Sequence, residues 1–137
     1  MIFKRRKGVA IVDTKKGILV VATEKNRFML PGGGAERWES RKKAAIRELY
    51  EETNLKAKKI KYLFRSESPK WYNKNGRLTK NYSKVFLIEA EGEPIPKNEI
   101  RYLDFWKEGS KLNILEGSEK IINRYLSEHK NESINST

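Results

Sequence analysis

Along the first thirty residues the apolar positions fall in short runs. Val9 and Ile11 alternate with other residues and Asp13 continues the period. A Lys15-Lys16-Gly17 turn then separates this run from Ile18–Ala22. Such runs predict two strands joined by a turn. Phe28 to Leu30 reads as a short third strand, stopped by Pro31 and the glycines Gly32, Gly33 and Gly34. The spacing then becomes helical, with Ala44, Ala45, Ile46 and Leu49 supplying an apolar side. Ser40 is the candidate N-cap, with Glu39 and Arg37 as competing starts. The helix is predicted to end near Thr53, because Asn54 tolerates the left-handed conformation and Leu55 can pack back. A strand follows around Ile60 to Phe64. Residues 66–81 are polar, contain Pro69 and Asn75-Gly76, and read as a long loop or hairpin tip interrupted by Trp71 and Tyr72. Tyr82 to Glu89 is a strand ended by Pro94 and Pro96, and Ile100 to Phe105 a short strand or turn. Ile114 to Leu126 is a second helix with Ile121, Ile122, Tyr125 and Leu126 facing inward.

This order, strands, helix, strands, helix, predicts an α/β fold with a mixed sheet packed between helices. Neither an internal repeat nor a dividing linker is evident, so residues 1–129 are expected to form one domain and residues 130–137 a flexible tail. The length of 137 residues suits one modest core. No apolar run approaches the roughly 20 residues of a membrane-spanning helix. The opening MIFKRRKG is followed by charge at Asp13, Lys15 and Lys16, so no export signal is expected. Cysteine is absent, which removes disulfides and thiolate sites and fits a cytoplasmic protein. With His129 the lone histidine, any divalent metal must be held by oxygen, which favours a hard cation such as magnesium. Thirty Lys and Arg against eighteen Asp and Glu leave a net charge of +12. That balance suits polyanions (nucleic acid, nucleotides, phosphate esters) and equally a plain solvated basic exterior.

Against that charge, Glu48, Glu51 and Glu52 crowd one helical face, since residues at i, i+3 and i+4 are neighbours. Like charges so placed cost a few tenths of a kcal/mol each, and a divalent cation reverses the sign of that repulsion. The glycine run just before the helix lets backbone approach a ligand closely. Two readings stand at this point: a cation site beside a phosphate pocket, or an ordinary acidic surface.

The segment from Gly33 to Leu55 resembles the signature of the Nudix (MutT-like) hydrolases. Gly33 is followed after five residues by Glu39, then after seven more by Arg47 and Glu48, with Leu49 hydrophobic, Glu51 and Glu52 the paired acids and Leu55 closing the run. The one departure is Asn54, where the family has glycine; asparagine keeps the helix stop. The resemblance implies a Nudix-type α/β/α sandwich and magnesium-dependent hydrolysis of a pyrophosphate bond, with manganese able to substitute. It implies Glu48, Glu51 and Glu52 as metal ligands with a carbonyl from Gly32 or Gly33. It further implies Arg47 as an orienting partner of the glutamates, and either a signature glutamate or a later acid as general base. Glu99 is the candidate for that later acid, with Glu91 and Glu93 competing.

For substrate contact, Arg27 and Arg65 are candidate phosphate partners, Gly33 and Gly34 candidate backbone contacts, and Trp71 and Tyr72 candidate stacking surfaces. Tyr72 lies 17 residues beyond Leu55, which resembles the members that cleave dinucleoside polyphosphates; Pro69 lies 14 beyond, near the spacing of those acting on ADP-ribose. Trp38 is read as a pocket wall, a cap on an apolar patch or a dimer contact. The expected substrate is a nucleotide or dinucleotide, oxidised deoxynucleoside triphosphates and capped RNA included, acted on by a monomer or homodimer. The competing readings are a basic nucleic-acid-binding protein and a catalytically silent Nudix-like partner.

Overall fold

A computed structural model describes residues 1–129; the predicted tail, 130–137, lies outside the described residues. The chain forms β1 (Phe3–Ile11), β2 (Asp13–Thr14), β3 (Gly17–Ala22), β4 (Gly32–Gly34), α1 (Arg41–Thr53), β5 (Lys56–Glu67), β6 (Trp71–Tyr72), β7 (Leu78–Glu91), β8 (Tyr102–Trp106) and α2 (Glu116–Glu128). A five-stranded mixed sheet has the order β4-β1-β7-β5, with β6 also on β7, and β1 and β7 run parallel. A second, three-stranded antiparallel sheet has the order β2-β3-β8. Strands buried on both faces read as unbroken apolar runs. In β1, Val9 and Ile11 join the core under α2, with Phe64, Val85, Ile121, Ile122 and Tyr125. Their neighbours Ala10 and Val12 join the core under α1, with Ala45, Leu49, Phe86 and Ile88. The expected sandwich, helices on both sides of a mixed sheet, is the observed architecture.

Three predicted elements change. The glycine triplet does not merely stop a strand. It forms one, β4, antiparallel to β1 in the register Gly8↔Gly33. Phe28 and Met29 make only isolated bridges, to Ile114 and Val21, because the segment is too short to extend a ladder. Of the two readings of residues 66–81, the hairpin is the one observed: β6 pairs with β7, and Asn73 Oδ1 accepts from the Asn75 and Arg77 amides across the turn, with Gly76 at φ 75. The β1 strand also begins six residues before Val9, through the basic run.

Helix α1 starts where its cap dictates: Ser40 Oγ accepts from the Lys43 amide at 3.1 Å. It stops at Asn54, which takes φ 68 and donates its backbone N–H to Tyr50 O. Its seat on the sheet requires Gly8, since a Cβ there would clash with the Arg41 carbonyl and lie 2.6 Å from the Ala45 amide nitrogen. Both are backbone atoms and cannot swing aside. Gly8→Ala is therefore expected to lift α1 and cost at least about 2 kcal/mol, as overpacking does, which thermal unfolding would show as a fall in Tm of about 5 °C or more. An unchanged Tm would mean that the helix is not held against this strand.

Candidate active site

The site grows from the junction of β4 and α1. A strand residue directs its N–H and C=O to the same edge, and successive residues alternate. Ala10 donates to Pro31 O and Ala35 to Arg6 O, so Gly33 pairs inward with Gly8 while Gly32 and Gly34 turn outward to the helix. The Gly32 N–H donates to Glu52 Oε1 at 2.9 Å, and Gly34 O accepts from Arg47 Nη2 at 3.2 Å. By the same alternation the Gly32 carbonyl faces the acidic helix and the Gly33 carbonyl does not. Gly33 matters for a different reason: a Cβ there would lie 2.6 Å from the Glu48 carboxyl carbon.

Arg47 is the hub. It grips both oxygens of Glu39 at 2.8 Å, donates to Glu48 Oε1 at 2.7 Å and reaches Glu51 Oε2 at 3.1 Å. Glu39 also accepts from the Glu36 amide. These bonds favour the charged carboxylate, and the Arg47 guanidinium first of all holds Glu39 down at about 2. Glu52 is the opposite case. It is 5 % exposed, and burial pushes its pKa up to about 8, with the charges of Glu48 and Glu99 adding and the Gly32 N–H and Lys7 opposing. Burial likewise raises Glu48, against Arg47, with Glu51 and Glu99 adding.

Glu99 therefore stands close enough to be felt at both carboxylates, whereas Glu91 and Glu93 do not figure at either. Its placement follows from a loop sewn to the end of α1. Ile95 and Lys97 amides donate to Thr53 O and Glu52 O, and Asn98 Nδ2 donates to Glu51 O at 2.7 Å. These bonds satisfy carbonyls that a helix C-terminus leaves unpaired.

Beside the carboxylates, on the α2 side, lies a cavity of about 320 Å³ lined by Lys7, Gly32, Asn81, Ser83 and Ser118, among others. Lys7 is half-buried there, and burial, then Arg5, lowers its pKa while Glu52 and Glu48 raise it. Asn81 Oδ1 is buried without a hydrogen-bond partner. Neither residue was singled out from sequence. Lys7 could have been, by carrying the alternation of Val9 and Ile11 back into the basic run; Asn81 carried no such signal.

Other candidates fall elsewhere. Arg27 is exposed and pairs with Glu24 at 3.5 Å, away from the cavity. Arg65 is exposed, in register with Lys84 on the α1 face of the sheet. Trp71 and Tyr72 lie on β6, Tyr72 being 73 % exposed, and neither lines the cavity, although Pro69 just before them does. Trp38 is 90 % exposed and so walls no pocket; Arg37 lies over its ring at 5.5 Å.

A family model for the NUDIX domain matches residues 3–124. The chain belongs to the Nudix family. A nudix hydrolase family structure from Chromobacterium violaceum shares 33 % identity, with a TM-score of 0.79 over 95 % of this chain and 81 % of that one. The E. coli ORF135 protein shares 18 % identity and the fold, with a TM-score of 0.71 over 92 % of this chain and 91 % of that one. A bifunctional NMN adenylyltransferase/ADP-ribose pyrophosphatase from Francisella tularensis, solved with AMP and a manganese ion, shares 23 % identity and the fold, with a TM-score of 0.62 over 91 % of this chain and 42 % of that one. Comparison with curated protein sequences found no match. This Nudix protein is thus an enzyme of the class that hydrolyses pyrophosphate bonds in nucleotide derivatives. Among the described residues, no helix is long and apolar enough to cross a membrane.

Also among the described residues, no three acidic or histidine side chains converge as a ready-made metal cluster. Glu48 and Glu51 are turned onto Arg47, and Glu52 onto the Gly32 N–H. The donor set nonetheless suits a hard divalent cation: it is all oxygen, and two of its carboxyls, Glu48 and Glu52, are raised by burial first and by neighbouring acids after it.

Glu52 makes the stability of the metal-free enzyme depend on pH. Its folded pKa lies above the ordinary 4.5, so between about 4.5 and 8 the folded state holds a proton that the unfolded chain has released. Stability must fall as pH rises through that window and level off above it. Glu52→Gln removes this loss. In EDTA the variant should gain on the wild type by more than about 5 °C in Tm between pH 5 and pH 9; parallel profiles would show that Glu52 is not desolvated.

Proposed function

We propose that this Nudix enzyme carries out magnesium-dependent hydrolysis of a pyrophosphate bond in a nucleoside diphosphate derivative or nucleoside triphosphate. The observation that carries the reading is that Gly32 is shared. Its N–H anchors the buried Glu52, while the residue itself lines the neighbouring cavity. Carboxylates and cavity therefore meet at one backbone unit, as a substrate with a polyphosphate at one end and a base at the other requires.

Glu48, Glu51 and Glu52 with the Gly32 carbonyl would hold the magnesium, and manganese would satisfy the same donors. A cation held there supplies charge neutralisation at the phosphates and acidification of a water. The chain's own residues do the rest. Arg47 is a positioning residue that keeps Glu39, Glu48 and Glu51 in register with the Gly34 carbonyl. Lys7, between the carboxylates and the cavity, offers its ammonium to phosphate oxygens. Glu99 would take a proton from the attacking water; its exposure, on the loop pinned to the end of α1, supports that role. In the cavity, the orphan Asn81 Oδ1 accepts a hydrogen bond from an N–H of the base, since a buried acceptor left unpaired costs about 1–3 kcal/mol.

Glu52→Gln should lower kcat by at least 100-fold while the circular dichroism spectrum stays native. Gly33→Ala should behave similarly with little loss of Tm, because the atom it displaces is the mobile end of Glu48 and not backbone. EDTA should abolish turnover and magnesium or manganese restore it. Full activity of Glu52→Gln, or turnover undiminished in EDTA, would overturn the reading.

Substrate identity is tested by a panel of diadenosine tetraphosphate, ADP-ribose, 8-oxo-dGTP, the ordinary dNTPs and capped RNA. Asn81→Leu should raise KM for the best substrate tenfold or more, about 1.4 kcal/mol, with a smaller change for inorganic polyphosphate, which has no base. An equal change for both would remove Asn81 from base recognition.

A further inference from the structure

We propose that the α1-side face of the five-stranded sheet, beyond the end of the helix, is a docking surface for single-stranded nucleic acid. The inference goes beyond the hydrolytic reading and does not rest on it.

Strand pairing assembles the face. Residues in register share a side of the sheet, and β1 pairs with β7 as Lys4↔Lys80, Arg6↔Tyr82 and Gly8↔Lys84. The β5–β7 ladder adds Arg65 beside Lys84 and Tyr62 beside Phe86. Because α1 sits on Gly8, these side chains lie on its side of the sheet, and Arg41 in its first turn donates to Tyr82 O at 3.4 Å. The alternate β1 residues Arg5 and Lys7 point to the opposite face, so this surface is separate from the cavity.

The guanidiniums of Arg6 and Arg41 on this face are bonded to neutral acceptors. Arg6 donates to the Glu39 carbonyl oxygen and Arg41 to that of Tyr82; both acceptors are neutral backbone. Glu67 is an acid of the face, and it is held by Lys80 at 2.9 Å. Burial, then the charges of Arg6 and Arg65, holds the Arg41 guanidinium below its ordinary pKa, with Tyr62 opposing. Three guanidiniums thus repel one another on one surface, and an anion spanning them would relieve the repulsion.

The aromatics decide what kind of anion. Tyr62 is 48 % exposed, tilted against Phe86 with ring centroids 5.7 Å apart, and Lys84 lies over its ring at 5.8 Å. Lys4 and Lys80 lie at 5.9 and 5.5 Å from the Tyr82 ring. An isolated phosphate or a duplex has no use for an exposed ring; a single strand offers it an unstacked base. A cationic track with interleaved flat side chains is the complement of a phosphodiester chain with free bases.

The test uses the full chain in EDTA, with fluorescence anisotropy of labelled U12 and dT12 titrated at several salt concentrations, and a 12-base-pair duplex and polyphosphate as comparators. Both single strands should bind, with log K falling against log salt at a slope of about −2 to −3, as three or four neutralised phosphates give. Lys4→Gln with Lys84→Gln should weaken binding tenfold or more and flatten the slope by about 1.4, while hydrolysis of a mononucleotide substrate in magnesium stays unchanged. Tyr62→Ala should weaken single-strand binding at least about fivefold and leave polyphosphate binding as it was. Three results would overturn the proposal: no strand binding at 50 mM salt, duplex bound as tightly as single strand with Tyr62→Ala indifferent, or wild-type affinity in the double lysine variant. A loss of hydrolysis with strand binding intact would count against the catalytic reading alone.

Discussion

One guanidinium sets the geometry on which the site depends. Arg47 bonds Glu39, Glu48, Glu51 and the Gly34 carbonyl at once, and so ties the loop before α1, the third turn of that helix and the edge strand β4 into one unit. Its place is intelligible from charge. The three carboxylates it bonds repel one another, and Arg47, with all five of its N–H donors engaged, is the cation that lets them lie together. Glu39, held at about 2, is its structural counterion. Glu48 and Glu51 are shared more loosely and remain available to another cation. Lysine, a point charge, could not bridge strand and helix in this way.

The sequence foretold the parts of this arrangement that rest on local rules. Ser40 caps α1 and Asn54 ends it because short side-chain and backbone bonds of adjacent residues decide those ends. The shared face of Glu48, Glu51 and Glu52 follows from helical period alone. What it did not foretell depends on which strand lies beside which. Glycine has low strand propensity, so β4 was unexpected; it exists because Gly32–Gly34 must pass close to Gly8 and to Glu48, where a side chain would collide. Lys7 read as part of a basic N-terminus, and only the register of β1 carries it to the carboxylates. Tyr72 had a plausible spacing, but it lies on β6, away from the cavity lining; Arg65 had a plausible segment, but a two-residue period sends alternate side chains to opposite faces, and a bulge between Tyr62 and Phe64 resets that count.

The molecule also separates its charges. A chain of net charge +12 places a group of acids at one end of α1 and a field of cations at the other, with Arg41, Lys42 and Lys43 in the first turn. The separation has a steric origin. Helix α1 makes its close backbone approach to the sheet at Gly8, so its first turn overhangs the basic half of β1 and β7, while its last turns meet the glycine edge and the loop carrying Glu99. Acid and base are kept apart by the same contact that seats the helix.

That separation decides the order in which the inner site can be filled. Were Lys7 an adequate counterion, the Glu52 carboxyl would lie below its ordinary pKa; it lies far above, so burial and neighbouring acids outweigh the lysine. The site is short of positive charge before any substrate arrives, and a polyphosphate would bring more negative charge to it. Attraction by the basic exterior can raise the local concentration of such a substrate, but it cannot reverse the sign of the field among the carboxylates. Under the proposed chemistry the phosphates therefore enter only with a divalent cation or after one. The proton that Glu52 holds in the empty site must leave as the cation binds, which makes loading of the site, and not the exterior charge, the step that pH controls.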